Sequence, residues 1–183
     1  MLMTYDEAVY ETKRILLEDK EVFIVGQGVD IPFGHDHKLI DLYGADRVME
    51  TPMSELAYGA IGVGASVSGM RPIVMYPRPD FLYLALDQLV NHAAVWRYMY
   101  GDLGGKAPVT FLVGINRGRM WGAQHSQSVY GLLIRYPGLK VAFPTNPADF
   151  KGILISGVYD DDPVVVFTDK WLGNVTGVVP EGV

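Results

Sequence analysis

The sequence contains no cysteine among its 183 residues. This absence excludes disulfide bonds, a zinc site with thiolate ligands and a cysteine nucleophile. It is consistent with a reducing compartment, and we expect a cytoplasmic protein. An excess of basic residues is also missing, because the formal net charge is −6 and the isoelectric point is about 5.1. Nucleic acid is therefore not an expected partner.

Long apolar runs are missing as well. The longest runs are far shorter than the ~20 residues that a membrane-spanning helix needs, and the first residues lack the basic and apolar regions of a signal peptide. We therefore expect no association with a membrane. What the sequence does contain is 49% hydrophobic and 20% charged residues. This composition is typical of one globular domain with a sizeable core.

Short apolar runs alternate with amphipathic segments along the chain, which predicts strands alternating with helices. Thr4 and Glu7 have the spacing of a capping box, and Pro147 suits the first position of a helix. Asp80 is predicted to cap a long helix. The predicted strands are 22–26, 47–50, 72–76, 108–113, 139–143 and 163–167, and the predicted helices are 5–19, 54–69, 81–100, 127–136 and one from residue 147.

This order predicts an α/β fold of three layers, in which a mostly parallel sheet is covered by helices on both faces. Ligands bind such sheets at the carboxyl ends of the strands. The segments that follow strands contain Glu55, the turn at 77–81 and the polar, glycine-rich residues 114–127. We expect a functional site among them.

Glu55 stands near the start of a predicted helix whose other residues are almost all apolar or small. A buried carboxylate without a partner is costly, so a sequence retains one mainly where it has a function. The alternative is an acid in the first helical turn that faces water and complements the helix dipole. Both interpretations remain open from the residues alone.

Phe81 and His125 are the two ring side chains of interest in these segments. Because an imidazole titrates near neutral pH, a histidine in a polar loop can serve as a general acid or base. The sequence His125-Ser126 does not indicate a hydrolase triad, because no G-x-S-x-G elbow is present. Phe81 begins a helix after a proline-broken turn, and an ordinary core aromatic is the alternative for it.

Other motifs favour structural interpretations. The glycines at 59, 62, 64 and 69 fall inside a predicted helix, where Gly59, Gly62, Ser66 and Gly69 suit close packing against a neighbour rather than dinucleotide binding. His35-Asp36-His37 has two metal-ligand types, but no third ligand cluster accompanies it, so a solvated loop is favoured over a metal site. His92 is predicted to lie in the core or at an interface.

Taken in order, several motifs identify a resemblance. They are TPMSE at 51–55, GVGA at 62–65, GMRPI at 69–73, DQLVN at 87–91, QHSQ at 124–127, PGLKV at 137–141 and DPV at 162–164. From about residue 4 to its end, the chain resembles the pyrimidine-binding domain of transketolase-like thiamine diphosphate enzymes. It is most similar to the β subunit of the decarboxylating component of 2-oxoacid dehydrogenase complexes, which act on pyruvate, branched-chain oxoacids or acetoin.

The resemblance implies a role for each candidate residue. Glu55 matches the glutamate that hydrogen-bonds N1′ of the thiamine aminopyrimidine and thereby assists proton loss from the thiazolium. Phe81 matches the aromatic residue that packs on the aminopyrimidine. His125 matches the active-site histidine beside the reacting substrate. Some relatives also hold a potassium ion where this chain has Asp160 and Asp162, and an exposed acidic turn is the open alternative there.

The resemblance also implies a partner. No Gly-Asp-Gly followed by Asn is present, which is the pattern that holds Mg²⁺ and the diphosphate in this superfamily. We therefore expect an α-type subunit to supply that half of the site, within a heterotetramer. The resemblance covers residues 1–183 as one pyrimidine-binding domain, and the family's C-terminal domain is absent from this sequence. No metal ligand is predicted in this chain.

The predicted function is that of a β-type subunit in a thiamine diphosphate-dependent 2-oxoacid dehydrogenase-like enzyme. With its α subunit it would decarboxylate a 2-oxoacid and transfer the acyl or hydroxyalkyl unit. One alternative is a split transketolase or carboligase that takes a two-carbon unit from a ketose. Another is a non-catalytic assembly subunit. The residues 77–79, Pro-Arg-Pro, depart from the family's pattern and leave the substrate open. We also expect self-association through the apolar helix 81–100.

Overall fold

The computed structural model describes residues 1–30, 36–118 and 120–182. In chain order, its regular elements are β1 (Leu2–Thr4), α1 (Tyr5–Leu16), β2 (Val22–Gly26), α2 (His37–Tyr43), β3 (Val48–Glu50), α3 (Glu55–Val67), β4 (Arg71–Tyr76), α4 (Ala94–Tyr100), β5 (Thr110–Ile115), α5 (Tyr130–Leu133), β6 (Lys140–Ala142), α6 (Pro147–Val158), β7 (Val164–Asp169) and β8 (Thr176–Val178). None of the helices in the described ranges has both the length and the apolar character needed to cross a membrane.

The central sheet has six strands in the spatial order β3-β2-β4-β5-β7-β6. Every pair of neighbours in this sheet is parallel. Ile24 of β2 pairs with Ile73 of β4, and Phe111 of β5 pairs with Val165 of β7. The predicted α/β class with a mostly parallel sheet is therefore confirmed.

Apolar side chains cover both faces of this sheet, as continuous apolar strands require. One face carries Val25, Tyr76, Phe111 and Phe167, which pack with α3 and with the chain segment after β4. The other face carries Ile24, Ile73, Leu112 and Val166, which pack with α1 and α6. The result is the predicted arrangement of three layers, with the sheet in the middle.

The predicted helix starts are confirmed where capping side chains mark them. Thr4 Oγ1 accepts a hydrogen bond from the Glu7 amide at 3.2 Å, and Glu7 Oε2 accepts one from the Thr4 amide at 2.7 Å. This reciprocal pair is a capping box at the start of α1. Asn146 accepts from the Asp149 amide at 2.9 Å, and Pro147 is the first residue of α6.

Glycines bring α3 close to β4, as predicted. A Cβ atom at Gly62 would lie 2.2 Å from the Val74 side chain, and one at Gly59 would lie 2.6 Å from the Tyr76 hydroxyl. The prediction is wrong for Gly69, where a Cβ atom would meet nothing within 4 Å. Gly69 instead follows the end of α3 with φ of +99°, a backbone conformation that glycine adopts most readily.

The long helix predicted over residues 81–100 is wrong as one continuous α-helix. The segment begins with a 3-10 turn at Pro79–Ala85, passes through a π-helical stretch at Asp87–Ala93 and becomes α-helical only in α4. Asp80 does not cap it, because no side chain caps this segment and Asp80 accepts the Gln127 amide instead. The helix predicted over 127–136 is regular only in the short α5.

Strands β1 and β8 were not predicted. They form a separate two-stranded antiparallel sheet, in which Leu2 pairs with Val178 and Thr4 pairs with Thr176. Each strand has only three residues, so neither carries a periodic pattern that sequence reasoning could detect.

Candidate active site

Glu55 is the first residue of α3, at the edge of the sheet where the parallel strands end. Its side chain is buried, with 9% of the residue exposed. The Tyr76 hydroxyl donates to the Glu55 backbone carbonyl at 3.1 Å, which fastens the first turn of α3 to the end of β4. The interpretation of Glu55 as a solvent-facing helix charge is therefore wrong.

The Glu55 carboxylate has no hydrogen-bond or ion-pair partner among the residues that the structure describes. Two buried phenols accompany it. Burial, followed by the charges of Glu55 and Glu50, raises the pKa of Tyr58, and burial, Tyr58 and Glu55 raise the pKa of Tyr76. Both phenols therefore stay neutral at physiological pH, and the Tyr58 hydroxyl is buried without a partner. Such an unpartnered acid suits a ligand that supplies a hydrogen-bond donor.

Phe81 and His125 form a ring pair at the same edge of the sheet. Phe81 lies in the 3-10 turn after β4, and His125 ends the 3-10 turn Ala123–His125 after β5. Their ring centroids are 5.2 Å apart and their planes are inclined by 83°, an edge-to-face arrangement. Both residues are half-buried. The structure thus brings together two of the predicted site residues, which are far apart in sequence.

Polar contacts fix the segments that carry this ring pair. We call residues 77–81 the β4 turn and residues 116–127 the β5 loop. The Asn116 side-chain amide donates to the Pro77 carbonyl at 3.1 Å, and Asp80 Oδ1 accepts from the Gln127 amide at 3.0 Å. Asp80 is 6% exposed, and its Oδ2 atom is buried without a partner.

A cation–aromatic contact joins the same two segments. The Arg78 guanidinium of the β4 turn lies 3.8 Å from the ring centroid of Trp121 in the β5 loop. Sequence reasoning identified the unusual Pro-Arg-Pro turn but not this pairing, because nothing in the sequence links two residues so far apart. The β4 turn and the β5 loop, which we together call the mouth of the site, therefore carry a cation as well as the Phe81–His125 pair.

Glu50 is a further site-edge residue that sequence reasoning missed. It ends β3, and its carboxylate accepts from the amides of Gly28 and Asp30, each at 2.9 Å. This acid holds the residues after β2 in place at the edge where Glu55 lies. One signal in the sequence could have identified Glu50, because it is an acid at the end of a short predicted strand. In parallel sheets this position lies next to the loops that bind ligands.

The remaining histidines that the sequence offered as candidates do not form a metal site among the described residues. His35 lies outside the described residues. His37 Nδ1 lies 2.8 Å from Asp30 Oδ1, and Asp36 is not solvated as predicted, because it pairs with the buried Lys13. His92 is exposed beside Asp87 rather than in the core. Within the described ranges, no cluster of three or more His, Asp or Glu side chains could hold a metal ion.

The acidic turn of Asp160 and Asp162 has cationic partners. Lys140 Nζ donates to both carboxylate oxygens of Asp160 at 2.7 Å, and Arg97 pairs with Asp162. Burial raises the pKa of Asp160, but the hydrogen bonds from Lys140 and the Asp162 amide outweigh it and lower the pKa overall. These carboxylates are therefore neutralised by side chains of the chain itself.

Cavity size does not identify the site. A cavity of about 820 Å³ lies beside α1, and none of Glu55, Phe81 and His125 lines it. Its walls include the chain's first residues and residues 180–182. The site is recognised instead by its chemistry, since an unpartnered buried acid and a histidine–aromatic pair lie at the carboxyl edge of a parallel sheet.

Comparisons with known proteins agree with this geometry. The family described as "Transketolase, pyrimidine binding domain" matches residues 3–175. The acetoin:2,6-dichlorophenolindophenol oxidoreductase subunit beta of Bacillus subtilis (strain 168) is 35% identical, and the match covers 98% of this chain and 57% of that protein. The 2-oxoisovalerate dehydrogenase subunit beta of the same strain is 35% identical over 92% of this chain and 53% of that protein.

The pyruvate dehydrogenase E1 component subunit beta of Rickettsia felis is 32% identical over 99% of this chain and 56% of that protein. The chain thus spans about half the length of the curated relatives it matches. Among solved structures, a split gene transketolase described as an inactive beta4 tetramer has a TM-score of 0.70 at 17% identity, covering 96% of this chain and 52% of that chain.

A transketolase from Leishmania mexicana also has a TM-score of 0.70, at 14% identity, covering 92% of this chain and 25% of that chain. At these identities the structural matches show a shared fold. The sequence matches go further, because the family match covers most of the chain and agrees with the resemblance drawn from the motifs. The chain belongs to the transketolase pyrimidine-binding domain family.

Proposed function

We propose that this chain is the β-type, pyrimidine-binding half of a thiamine diphosphate-dependent 2-oxoacid dehydrogenase-like enzyme. The observation that carries the proposal is Glu55, a residue that is only 9% exposed and whose carboxylate has no donor among the described residues although it lies at the ligand-binding edge of the sheet. The relatives at 32–35% identity are named as β subunits of acetoin, 2-oxoisovalerate and pyruvate enzymes, which supports the same function.

The residues of the site fit the cofactor. Glu55 would share a proton with N1′ of the aminopyrimidine, which would give its carboxyl group the hydrogen-bond partner that it lacks among the described residues. Phe81 would pack on the aminopyrimidine ring, and its edge-to-face contact with His125 supports a position of the imidazole close to that ring. When bound, thiamine diphosphate supplies a carbon nucleophile and an electron sink for a carbonyl substrate.

Each of these residues then has a defined task. Glu55 would hold or exchange a proton with the aminopyrimidine, beside the neutral phenols of Tyr58 and Tyr76. His125 would hold or move a proton at the substrate from its half-buried position in the β5 loop. The α-type partner would hold the diphosphate and Mg²⁺ and close the site between the two chains.

The test of this function is the variant Glu55→Gln in the enzyme reconstituted with its α-type partner. The amide keeps the size of the side chain but cannot carry the proton, so we expect kcat for 2-oxoacid decarboxylation to fall by about 100-fold or more. Calorimetric titration with thiamine diphosphate should also show weaker binding. Undiminished turnover by this variant would remove the catalytic role of Glu55.

A matched control is Glu21→Gln. Glu21 is exposed and precedes β2, at the opposite end of the sheet from Glu55. The Glu21→Gln variant removes the same charge at a position away from the site, so turnover should stay at the wild-type level.

Transfer to a lipoyl acceptor would distinguish the dehydrogenase function from a transketolase-like one, which exchanges ketol units without that acceptor.

A further inference from the structure

Arg78 is a cation at the mouth of the site for which the proposed chemistry gives no task. It is half-buried, and its guanidinium stacks on Trp121 at 3.8 Å from the ring centroid. Stacking on an aromatic face holds an arginine fork in a fixed orientation and leaves its edge available for hydrogen bonds. Arg78 is thus oriented before any ligand arrives.

The hydrogen-bonding capacity of Arg78 is largely unused. One Nη atom donates to the Pro77 carbonyl at 2.5 Å, while the Nε atom is buried and has no partner among the residues that the structure describes. No carboxylate among the described residues lies within ion-pair distance of its guanidinium. Burial lowers the pKa of Arg78, and the charge of Asp80 only partly opposes this. A half-buried cation without a carboxylate partner favours an incoming anion.

Other arginines of the chain do not share this situation. Arg71, Arg97 and Arg117 each pair with an aspartate on a neighbouring segment. Arg117 lies in the same β5 loop as Trp121, yet its partner is the fully buried Asp169.

Arg47 has no carboxylate partner among the described residues either, but three backbone carbonyls accept from its guanidinium. Arg135 is exposed to solvent. Arg78 differs from both, because it is half-buried and its side chain donates to one backbone carbonyl.

The position of Arg78 connects it with the reacting groups. The β4 turn carries both Arg78 and Phe81, and the β5 loop carries both Trp121 and His125. Two ring contacts therefore join the same two segments, one between Arg78 and Trp121 and one between Phe81 and His125. The cation is three residues from Phe81 along the β4 turn, and its aromatic partner is four residues from His125 along the β5 loop.

We propose that Arg78 binds the anionic group of the donor substrate, so that the site selects an anion over a neutral hydroxyketone. The inference rests on the proposed function and narrows its substrate class. The planar fork of an arginine matches a carboxylate or a phosphate with two parallel hydrogen bonds. The carboxylate of a 2-oxoacid is the anion that fits the proposed reaction, and the phosphate of a ketose phosphate is the other source of the same chemistry.

The experiment compares Arg78→Gln with wild type in the reconstituted enzyme, with reduction of 2,6-dichlorophenolindophenol as the readout. The donors are pyruvate, 2-oxoisovalerate, neutral acetoin and fructose 6-phosphate. We expect KM for the 2-oxoacids to rise by about tenfold or more, since a charge-assisted hydrogen bond is lost, while KM for acetoin changes less than twofold. Arg78→Lys keeps the positive charge but lacks the planar guanidinium, so its KM for the 2-oxoacids should lie between those of wild type and Arg78→Gln.

The matched control is Arg135→Gln, because Arg135 is an exposed arginine that follows α5. It should leave every KM unchanged. An equal rise of KM for acetoin and for 2-oxoacids, or no rise for either, overturns the proposal. If only KM for fructose 6-phosphate rises, Arg78 still binds an anion, but that anion is a phosphate group and not the carboxylate of a 2-oxoacid.

A wild-type enzyme that turns over no donor contradicts the proposed function, and a binding measurement then decides the role of Arg78 separately. Trp121 fluorescence is recorded in a Trp96→Phe, Trp171→Phe background while pyruvate or acetoin is added. A change with pyruvate alone that Arg78→Gln abolishes supports anion binding beside Trp121. Equal responses to both compounds, or none, contradict it.

Discussion

Gly62 shows how one residue sets the distance between a helix and the sheet. It lies on the face of α3 that crosses β4, and a Cβ atom there would be 2.2 Å from the Val74 side chain. In Gly62→Ala the helix must therefore move or the β-branched valine must distort. We expect the free energy of unfolding to fall by about 1–3 kcal/mol, the usual cost of overpacking, as measured by urea denaturation.

Gly64 provides the control on the same helix. It is exposed, and a Cβ atom there would meet nothing within 4 Å. Gly64→Ala should raise the free energy of unfolding by about 0.5–1 kcal/mol, because alanine has the higher helix propensity. If both variants shifted stability in the same direction, close packing at Gly62 would not be what requires glycine there.

Residues whose roles depend on local spacing could be predicted from the sequence. The Thr4–Glu7 capping box depends on the spacing of residues at the start of α1, and the Gly62 contact depends on the spacing of small residues along α3. The stacking of Arg78 on Trp121 could not be predicted, because it joins two loops whose relative placement depends on the whole sheet. Sequence could identify Glu55 as a candidate, but its burial and missing donor needed the structure.

At the scale of elements, the β4 turn and the β5 loop behave as one unit because Asp80 connects them. Asp80 Oδ1 accepts the Gln127 amide, two residues beyond His125. In Asp80→Ala this amide loses its acceptor, at a cost of about 1–3 kcal/mol. We expect faster hydrogen–deuterium exchange in a peptide that contains Gln127, together with a lower kcat, because His125 is held less firmly.

Asp80→Asn separates the acceptor from the charge. The asparagine oxygen can still accept from Gln127, so exchange of that peptide should stay near the wild-type rate. Faster exchange in both variants would show that the charge of Asp80, rather than its hydrogen bond, holds the loop. Unchanged exchange in both would show that the connection has no effect on loop motion.

The predicted elements were correct where one strong pattern decided them and wrong where two effects competed. Residues 81–100 contain the apolar residues of a helix, but Pro79 opens the segment as a 3-10 turn and the Asp80 side chain is engaged by another loop. The regular α-helix therefore begins only at Ala94. Short strands such as β1 are stabilised by pairing with a strand that is distant in sequence, here β8. A local sequence pattern does not predict such a pairing.

At the scale of the molecule, the chain provides one wall of a site that we expect a partner to complete. Glu55, Phe81 and His125 come from three segments after β3, β4 and β5, which are the first, third and fourth strands in the order of the six-stranded sheet. The surface around α4 is a second feature of this scale. Its exposed apolar residues are Tyr98, Met99, Tyr100 and Leu103.

This apolar surface underlies the prediction that the chain self-associates. Tyr98 is 94% exposed and Leu103 is 93% exposed, and exposed large apolar side chains that gather in one region mark an interaction site more often than scattered ones do. Tyr98→Glu would bury a charge in such an interface, so light scattering should show a smaller mass than for wild type. Leu42→Glu, at an exposed apolar residue of α2, should leave the mass unchanged. Equal masses for wild type and Tyr98→Glu would exclude this surface as the interface, because a buried unpaired carboxylate is too costly to be accommodated.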